Sequence, residues 1–258
     1  MPGRILRRLI VHEPRLRWPI PPTLPKTLEN TPVVACERRG KYLLIRFPHG
    51  TLIVHLGMSG SLRRVPLDAP LRKHDHVEWV FDDARFLLHD PRRFGAVLWH
   101  PAEAGPIGDH PLLASLGVEP FDPAFTPALL HAGLQAHRQA VKQLLLGGRI
   151  VVGVGNIYAS ESLYLAEIDP RTPGSRLSRP RSIRLHAAIL QTLNQALESG
   201  GSTLRDYVNA QGAPGAYFTL HAAVYERDGQ PCPRCGTPIR RIVQGQRATY
   251  FCPQCQKR

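Results

Sequence analysis

Four cysteines near the C-terminus, Cys232, Cys235, Cys252 and Cys255, form two C-x2-C pairs with sixteen residues between them. Each pair places two thiolates on one tight knuckle, and two knuckles brought together make a tetrahedral thiolate shell that suits Zn2+. Four sulfur ligands leave no open position on the metal, so the spacing predicts one structural zinc that holds a fold. The competing reading of the same cysteines is a redox or unpaired thiol cluster. Between the pairs, Ile239 to Phe251, with Gln244-Gly245 as turn residues, reads as a hairpin that closes the ribbon. Cys36 lies in a strand-like stretch and is expected to be a buried thiol.

Only five of the 33 basic residues are lysines (Lys26, Lys41, Lys73, Lys142 and Lys257), so cationic positions default to Arg and each Lys invites a question. A lysine amine shifts its pKa and transfers protons, whereas a guanidinium stays protonated, which singles out Lys41 and Lys142; a solvated strand-start lysine is the plain alternative for Lys41. Met58 stands between Gly57 and Gly60 after a strand. It is either a core gap-filler or an exposed wedge that slips between bases. Asp90-Pro91-Arg92-Arg93-Phe94-Gly95 is bracketed by turn residues and presents guanidinium groups and an aromatic ring. It reads either as a turn with a buried Phe or as a loop that fills the gap left by an extruded nucleotide. Asn156, after Gly153-Val154-Gly155, is placed to cap a helix whose free amides suit a phosphate, and capping alone also explains it. Arg247 falls at or near the tip of the ribbon hairpin, where it either meets solvent or reaches a phosphate.

These side chains need elements to carry them. Short strand-like runs (Lys41 to Phe47, Thr51 to Leu56, His76 to Phe81, Arg85 to His89), separated by turn signals, predict a β-sandwich or barrel over residues 1–100. Residues 101–125 are rich in Pro, Gly and Asp and read as a linker. Helical periodicity follows over Ala128 to His137, Ala140 to Leu146, Asn156 to Ala166 and Ser182 to Leu197, giving a helical domain at 126–221 before a zinc ribbon at 222–258. The fold class is therefore multi-domain α+β. In 258 residues, Lys plus Arg outnumber Asp plus Glu by 33 to 20, a formal charge of +13, which favours a polyanionic partner, nucleic acid first. No apolar run reaches the ~20 residues of a membrane span, and Arg4, Arg7 and Arg8 break any secretory apolar segment. A cytoplasmic, nucleoid-associated monomer without a membrane partner is expected.

The chain resembles the bacterial formamidopyrimidine-DNA glycosylase family, which excises 8-oxoguanine and ring-opened purines. The resemblance rests on Arg15 to Pro19, Arg39 to Leu44, His55 to Leu62, Lys73 to His76, Asp90 to Gly95, Val152 to Glu161 and Gln246 to Thr249, in that order. It implies a β-sandwich, a helix-two-turns-helix domain and a zinc ribbon acting on double-stranded DNA that contains damaged bases. It also implies a bifunctional glycosylase and abasic-site lyase that cuts by β,δ-elimination. By the same resemblance Met58, Arg92 and Phe94 fill the space of the flipped nucleotide, with Arg92 on the orphaned cytosine. Lys41, His55, Asn156 and Arg247 grip phosphates, while His74 and the His137-Arg138 pair add DNA contacts. Lys41 assists β-elimination and Arg247 δ-elimination, and 211–221 corresponds to a lesion-capping loop.

Family members open Pro-Glu-Leu-Pro-Glu after Met removal, the proline amine being the nucleophile. Here Pro2 is followed by Gly3, and Arg4 to Val11 already matches the family's first strand. By this comparison about seventeen family residues, including the first helix, are absent, and Pro2 lies at a strand entrance. Gly147-Gly148 stands where the family usually carries an Asp. Two further functions compete: a catalytically dead binder of damaged or abasic DNA, and a zinc-ribbon transcription or RNA factor.

Overall fold

The computed structural model describes residues 1–202 and 215–258. Its described residues divide into two compact units, 1–114 with 200–202 and 215, and 115–199 with 216–258.

The first unit opens with β1 (Ile5–Leu6) and β2 (Arg8–Val11), a short helix α1 (Leu24–Leu28) and β3 (Thr31–Pro32), which pairs with β1. The strands β4 (Ala35–Arg39), β5 (Tyr42–Phe47), β6 (Gly50–His55), β7 (Ser61–Val65), β8 (Asp75–Val80), β9 (Arg85–His89) and β10 (Ala96–Pro101) follow. They form two antiparallel four-stranded sheets, ordered β10-β6-β5-β4 and β2-β8-β9-β7. Alternate residues of each sheet meet in one core: Ile45, Phe47, Leu52, Val54 and Val97 from the first, Leu9, Val77, Trp79 and Leu88 from the second. This is the expected sandwich, because period-2 apolar positions leave each sheet one face to bury. The helix α1 was not anticipated; it adds Leu24 and Leu28 to the same core.

The second unit holds α2 (Pro127–Gln135), α3 (Val141–Gly147), α4 (Asn156–Leu165), α5 (Arg179–Glu198) and α6 (Tyr217–His221), then the hairpin β11 (Arg240–Gln244) and β12 (Arg247–Phe251). Thr126 caps α2 by accepting from the Leu129 N–H at 3.1 Å, with Pro127 preset for the first turn. Between α3 and α4 the chain makes two turns, at the left-handed Gly148 (φ 66°) and at Gly153 (φ 85°). Leu130, Leu134, Leu145, Leu163, Leu185 and Ile189 are its shared core.

The stretch 101–125 is divided between the units. Ala102 N–H donates to His49 O at 2.9 Å in the first, and Val118 bridges Val151 in the second. Three expectations need correction. Cys36 is exposed, because its strand β4 is the edge of a sheet. Gly155, not Asn156, is the N-cap of α4, and Asn156 is its first helical residue. The ribbon turn is centred on Gly245-Gln246, one residue later than read, with Gln244 paired to Arg247. Both turn residues have positive φ (52° and 62°), the conformation that suits a two-residue hairpin to strand twist.

Candidate nucleic-acid site

In the sandwich unit the loops after β6 and β9 are packed backbone to backbone. Gly57 (φ 67°) lies so close to the neighbouring loop that a Cβ there would meet Phe94 C at 2.7 Å and Gly95 N at 2.8 Å. A Cβ on Gly95 would meet the Asp90 carboxylate at 2.8 Å and His55 O at 2.9 Å. The absence of side chains at these two positions is what lets the loops touch. Met58 is 66% exposed and Phe94 47% exposed, so neither is core, and Arg92 is exposed between them in sequence. Adjacent Arg93 is turned to Glu13 at 3.5 Å, alongside the Glu13–Arg15 pair at 2.7 Å.

His55 ends β6 half-buried, with its Nδ1 accepting the Gly57 N–H at 2.9 Å. The remaining ring proton therefore sits on Nε2, leaving a donor suited to a phosphate oxygen. Burial, then the charges of Lys41 and Arg17, push the His55 pKa down, so the ring donates as a neutral group. Lys41 is exposed in the tight β4–β5 turn beside Gly40 (φ 58°). A cavity of about 290 Å³ is lined by Lys41, His55, Leu56 and Met58, among others. His74 sits at positive φ (74°) in the turn before β8 and stacks edge-on near His76 and His89. Partial burial first, then Lys73 and the neighbouring rings, lower its pKa.

Pro2 is not among the residues lining the Lys41 cavity. It is exposed in a turn closed by Arg4 N–H to Met1 O at 3.1 Å, with Gly3 at φ 77°, and this turn opens β1. A proline followed by a glycine of positive φ is the residue pair that a type II turn requires.

In the second unit a different construction carries Arg247, Asn156 and the cysteines. The four Sγ atoms lie within 4.8 Å of one another, with Cys235–Cys252 at 3.5 Å and Cys232–Cys255 at 3.9 Å. A tetrahedron with bonds of about 2.3 Å has edges near 3.8 Å, so the donor set fits zinc. Gln256 braces the second knuckle, accepting Cys252 N–H and donating to Ile168 O, both at 2.8 Å. Arg247 is exposed directly after the hairpin turn.

Behind Arg247, the Ala248 carbonyl accepts from Lys142 Nζ at 3.0 Å and from Asn156 Nδ2 at 3.1 Å. Lys142 is fully buried and also donates to Thr249 Oγ1 at 2.8 Å. Burial, then repulsion from Arg247, pull its pKa down to about 7. The Asn156 amide also donates to Tyr225 OH at 3.2 Å, while its Oδ1 is buried without a partner among the described residues. Both amide protons are therefore spent inside the protein.

Glu161, almost wholly buried on α4, accepts the N–H groups of Ala223, Val224 and Tyr225 at 2.8–3.1 Å. It fixes the segment leading into the ribbon. Its desolvation outweighs those bonds and raises its pKa. His137 and Arg138 are exposed in the connection between α2 and α3. Of the capping-loop expectation, residues 211–214 lie outside the described residues, and Tyr217–His221 forms α6.

Sequence reasoning singles out Lys142 but assigns Asp90 and Glu161 no role. A charged residue inside an otherwise apolar helical stripe, as at Lys142 and Glu161, is the available signal for a buried partner. Tyr225 left no such signal.

Three family descriptions match this chain: the formamidopyrimidine-DNA glycosylase N-terminal domain over residues 1–97, the H2TH domain of the same enzymes over 116–208, and a zinc finger found in FPG and IleRS over 229–258. The formamidopyrimidine-DNA glycosylase of Bordetella pertussis is 70% identical over 256 residues, covering 99% of this chain and 93% of that protein. That of Burkholderia lata is 58% identical over 257 residues, with 99% and 93% covered. Among solved structures, the Lactococcus lactis Fpg in complex with abasic-site DNA superposes with a TM-score of 0.89 at 33% identity, covering 99% of this chain and 93% of that one. The MutM (Fpg) protein of Thermus thermophilus gives 0.86 at 36% identity, with 99% and 92% covered.

Proposed function

The chain belongs to the formamidopyrimidine-DNA glycosylase family, and from that premise we propose that it performs base-excision repair. It removes oxidised purines (8-oxoguanine and formamidopyrimidines) from duplex DNA and cuts the strand at the resulting abasic site. Its place of action is the cytoplasm, at the nucleoid, as a monomer. Among the described residues no helix is long and apolar enough to cross a membrane.

One observation carries the reading: two large apolar side chains, Met58 and Phe94, stand in water on loops clasped through Gly57 and Gly95. Holding such side chains in solvent is unfavourable unless something apolar receives them, and a vacated base-stack position does. A base locked in the stack exposes no sugar carbon to attack, so the nucleotide is flipped out at a cost of about a few kcal/mol. Met58 and Phe94 fill the vacancy, and Arg92 donates to the cytosine left behind.

Phosphates are gripped by groups with protons to give: the neutral His55 Nε2–H, Lys41 and Arg247, with His74, His137 and Arg138 as outer contacts. Because the Asn156 amide protons serve Ala248 and Tyr225, its contribution to the phosphate grip is to hold the hairpin that carries Arg247. Zinc, held by Cys232, Cys235, Cys252 and Cys255, supplies the cross-link that folds this hairpin. Lys41 assists β-elimination, and Arg247 assists δ-elimination as a fixed positive charge beside the departing phosphate.

The test is a duplex with one 8-oxoguanine opposite cytosine. Expected are incision at the lesion leaving phosphates at both ends of a one-nucleotide gap, and tighter, salt-sensitive binding to an abasic analogue than to intact duplex. An uncut strand together with equal affinity for damaged and intact duplexes overturns the reading.

A further inference from the structure

Asp90 is fully buried at the root of the Arg92–Phe94 loop, and its bonds go to the loop and its flanks. Its Oδ2 accepts the Gly95 N–H at 2.7 Å, tying the end of the loop to its beginning. Its carbonyl accepts Arg93 N–H at 3.1 Å and His76 Nε2–H at 3.0 Å, and its own N–H donates to His74 O at 3.0 Å. A second bond to the Gly95 backbone comes from outside the loop, Arg17 N–H to Gly95 O at 3.1 Å. The other carboxylate oxygen of Asp90, Oδ1, is buried without a hydrogen-bond partner among the described residues, as is Ser59 Oγ on the loop of Met58.

We propose that Asp90 is a positioning residue for damage recognition: its carboxylate clasps Gly95 and so holds Phe94 and Arg92 against the Met58 loop at the reach that a vacated stack position requires. The buried carboxylate places one charge-assisted bond on the residue next to Phe94. The geometry explains why Gly95 lacks a side chain, because any Cβ would strike the same carboxylate at 2.8 Å. It also explains how a loop made of Pro, Arg and Phe holds an exposed aromatic ring in place. The inference rests on the reading of Phe94 as a wedge.

The experiment is a double-mutant cycle between Asp90 and Phe94 in the full chain, with zinc content and melting temperature recorded for each variant. Two readouts are taken: the affinity ratio between an abasic-analogue duplex and its intact counterpart, and the fluorescence of a 2-aminopurine placed beside the analogue, which brightens when the wedge unstacks it. Asp90→Ala is expected to lower the ratio by about tenfold or more and to dim the 2-aminopurine signal. Asp90→Asn, which keeps an acceptor of the same shape without its charge, is expected to lower it by only about threefold. In a Phe94→Ala background each substitution should lower the ratio by less than it does in the native background, because one of the two residues that Asp90 positions is gone. If Asp90→Ala does not fold, the Asp90→Asn arm decides alone. An unchanged ratio in the folded Asp90 variants, or losses of equal size with and without Phe94, overturns the proposal. Should Phe94→Ala itself leave the ratio unchanged, the wedge reading fails instead, so the two failures are distinguishable.

Discussion

The two regions that carry the candidate DNA contacts are held by different forces. In the sandwich unit, the Met58 and Arg92–Phe94 loops are placed by backbone pressed on backbone, which Gly57 and Gly95 permit, above a core of interleaved β-strands. In the helical unit, the Arg247 hairpin is placed by four thiolates and by long-range side-chain bonds from Lys142 and Asn156 to Ala248. The first is a shape that tolerates little added volume. The second is a set of discrete tethers that can be cut one at a time.

Removing zinc should have the largest effect and be confined to one side. Structural zinc contributes about 10–16 kcal/mol in small ribbons. Chelation or Cys232→Ser should therefore unfold the hairpin and abolish DNA binding by fluorescence anisotropy. The sandwich should still melt cooperatively, because its core shares no residue with the ribbon cluster. A single concerted melt would show that the two regions are not held independently.

Gly57→Val is the matching insult to the other region. It places a β-branched residue at φ 67° with its Cβ 2.7 Å from Phe94 C. Backbone strain alone is about 1–3 kcal/mol. Discrimination between abasic and intact duplexes should fall while zinc content stays at one per chain; undiminished discrimination would show that the loops are not shape-locked.

Lys142 sharpens the tether side through pH. Its pKa in the fold, about 7, lies below the ordinary 10.5, because burial and then Arg247 disfavour the charge. Between those values the unfolded chain binds a proton that the folded chain does not, so stability rises with pH from about 7 toward 10.5 and is lost as pH falls toward 7. The slope is at most about tenfold in the unfolding constant per pH unit. Chemical denaturation across this window should show that slope for the native chain and lose this component in Lys142→Met.

Arg247→Ala takes away one proposed phosphate contact and should produce the smallest change in binding. The slope of log affinity against log salt should become shallower by about 0.9, with zinc content and fold unaltered.

Much of this was legible in the sequence because it is local. Period-2 and helical patterns located the sheets and helices, and the C-x2-C pairs located the metal shell. Glycines beside Met58 and Phe94 announced loop tips, where both side chains are indeed exposed. What was missed is non-local. The orientation of the Asn156 amide depends on Ala248 and Tyr225, far along the chain. The exposure of Cys36 depends on β4 lying at a sheet edge, which the residues of β4 do not specify. The ribbon turn fell one residue from its expected place because either of two overlapping pairs around Gly245 offers a turn, and register is decided by pairing across the hairpin.

In the proposed function, Met58, Arg92 and Phe94 fill the space of an extruded damaged nucleotide. Its most direct test is the affinity ratio of the Met58→Ala, Arg92→Ala, Phe94→Ala triple variant for an 8-oxoguanine duplex over the matched undamaged duplex. The ratio is expected to fall to near one while zinc content and melting temperature are retained. A ratio equal to that of the unsubstituted protein would contradict it.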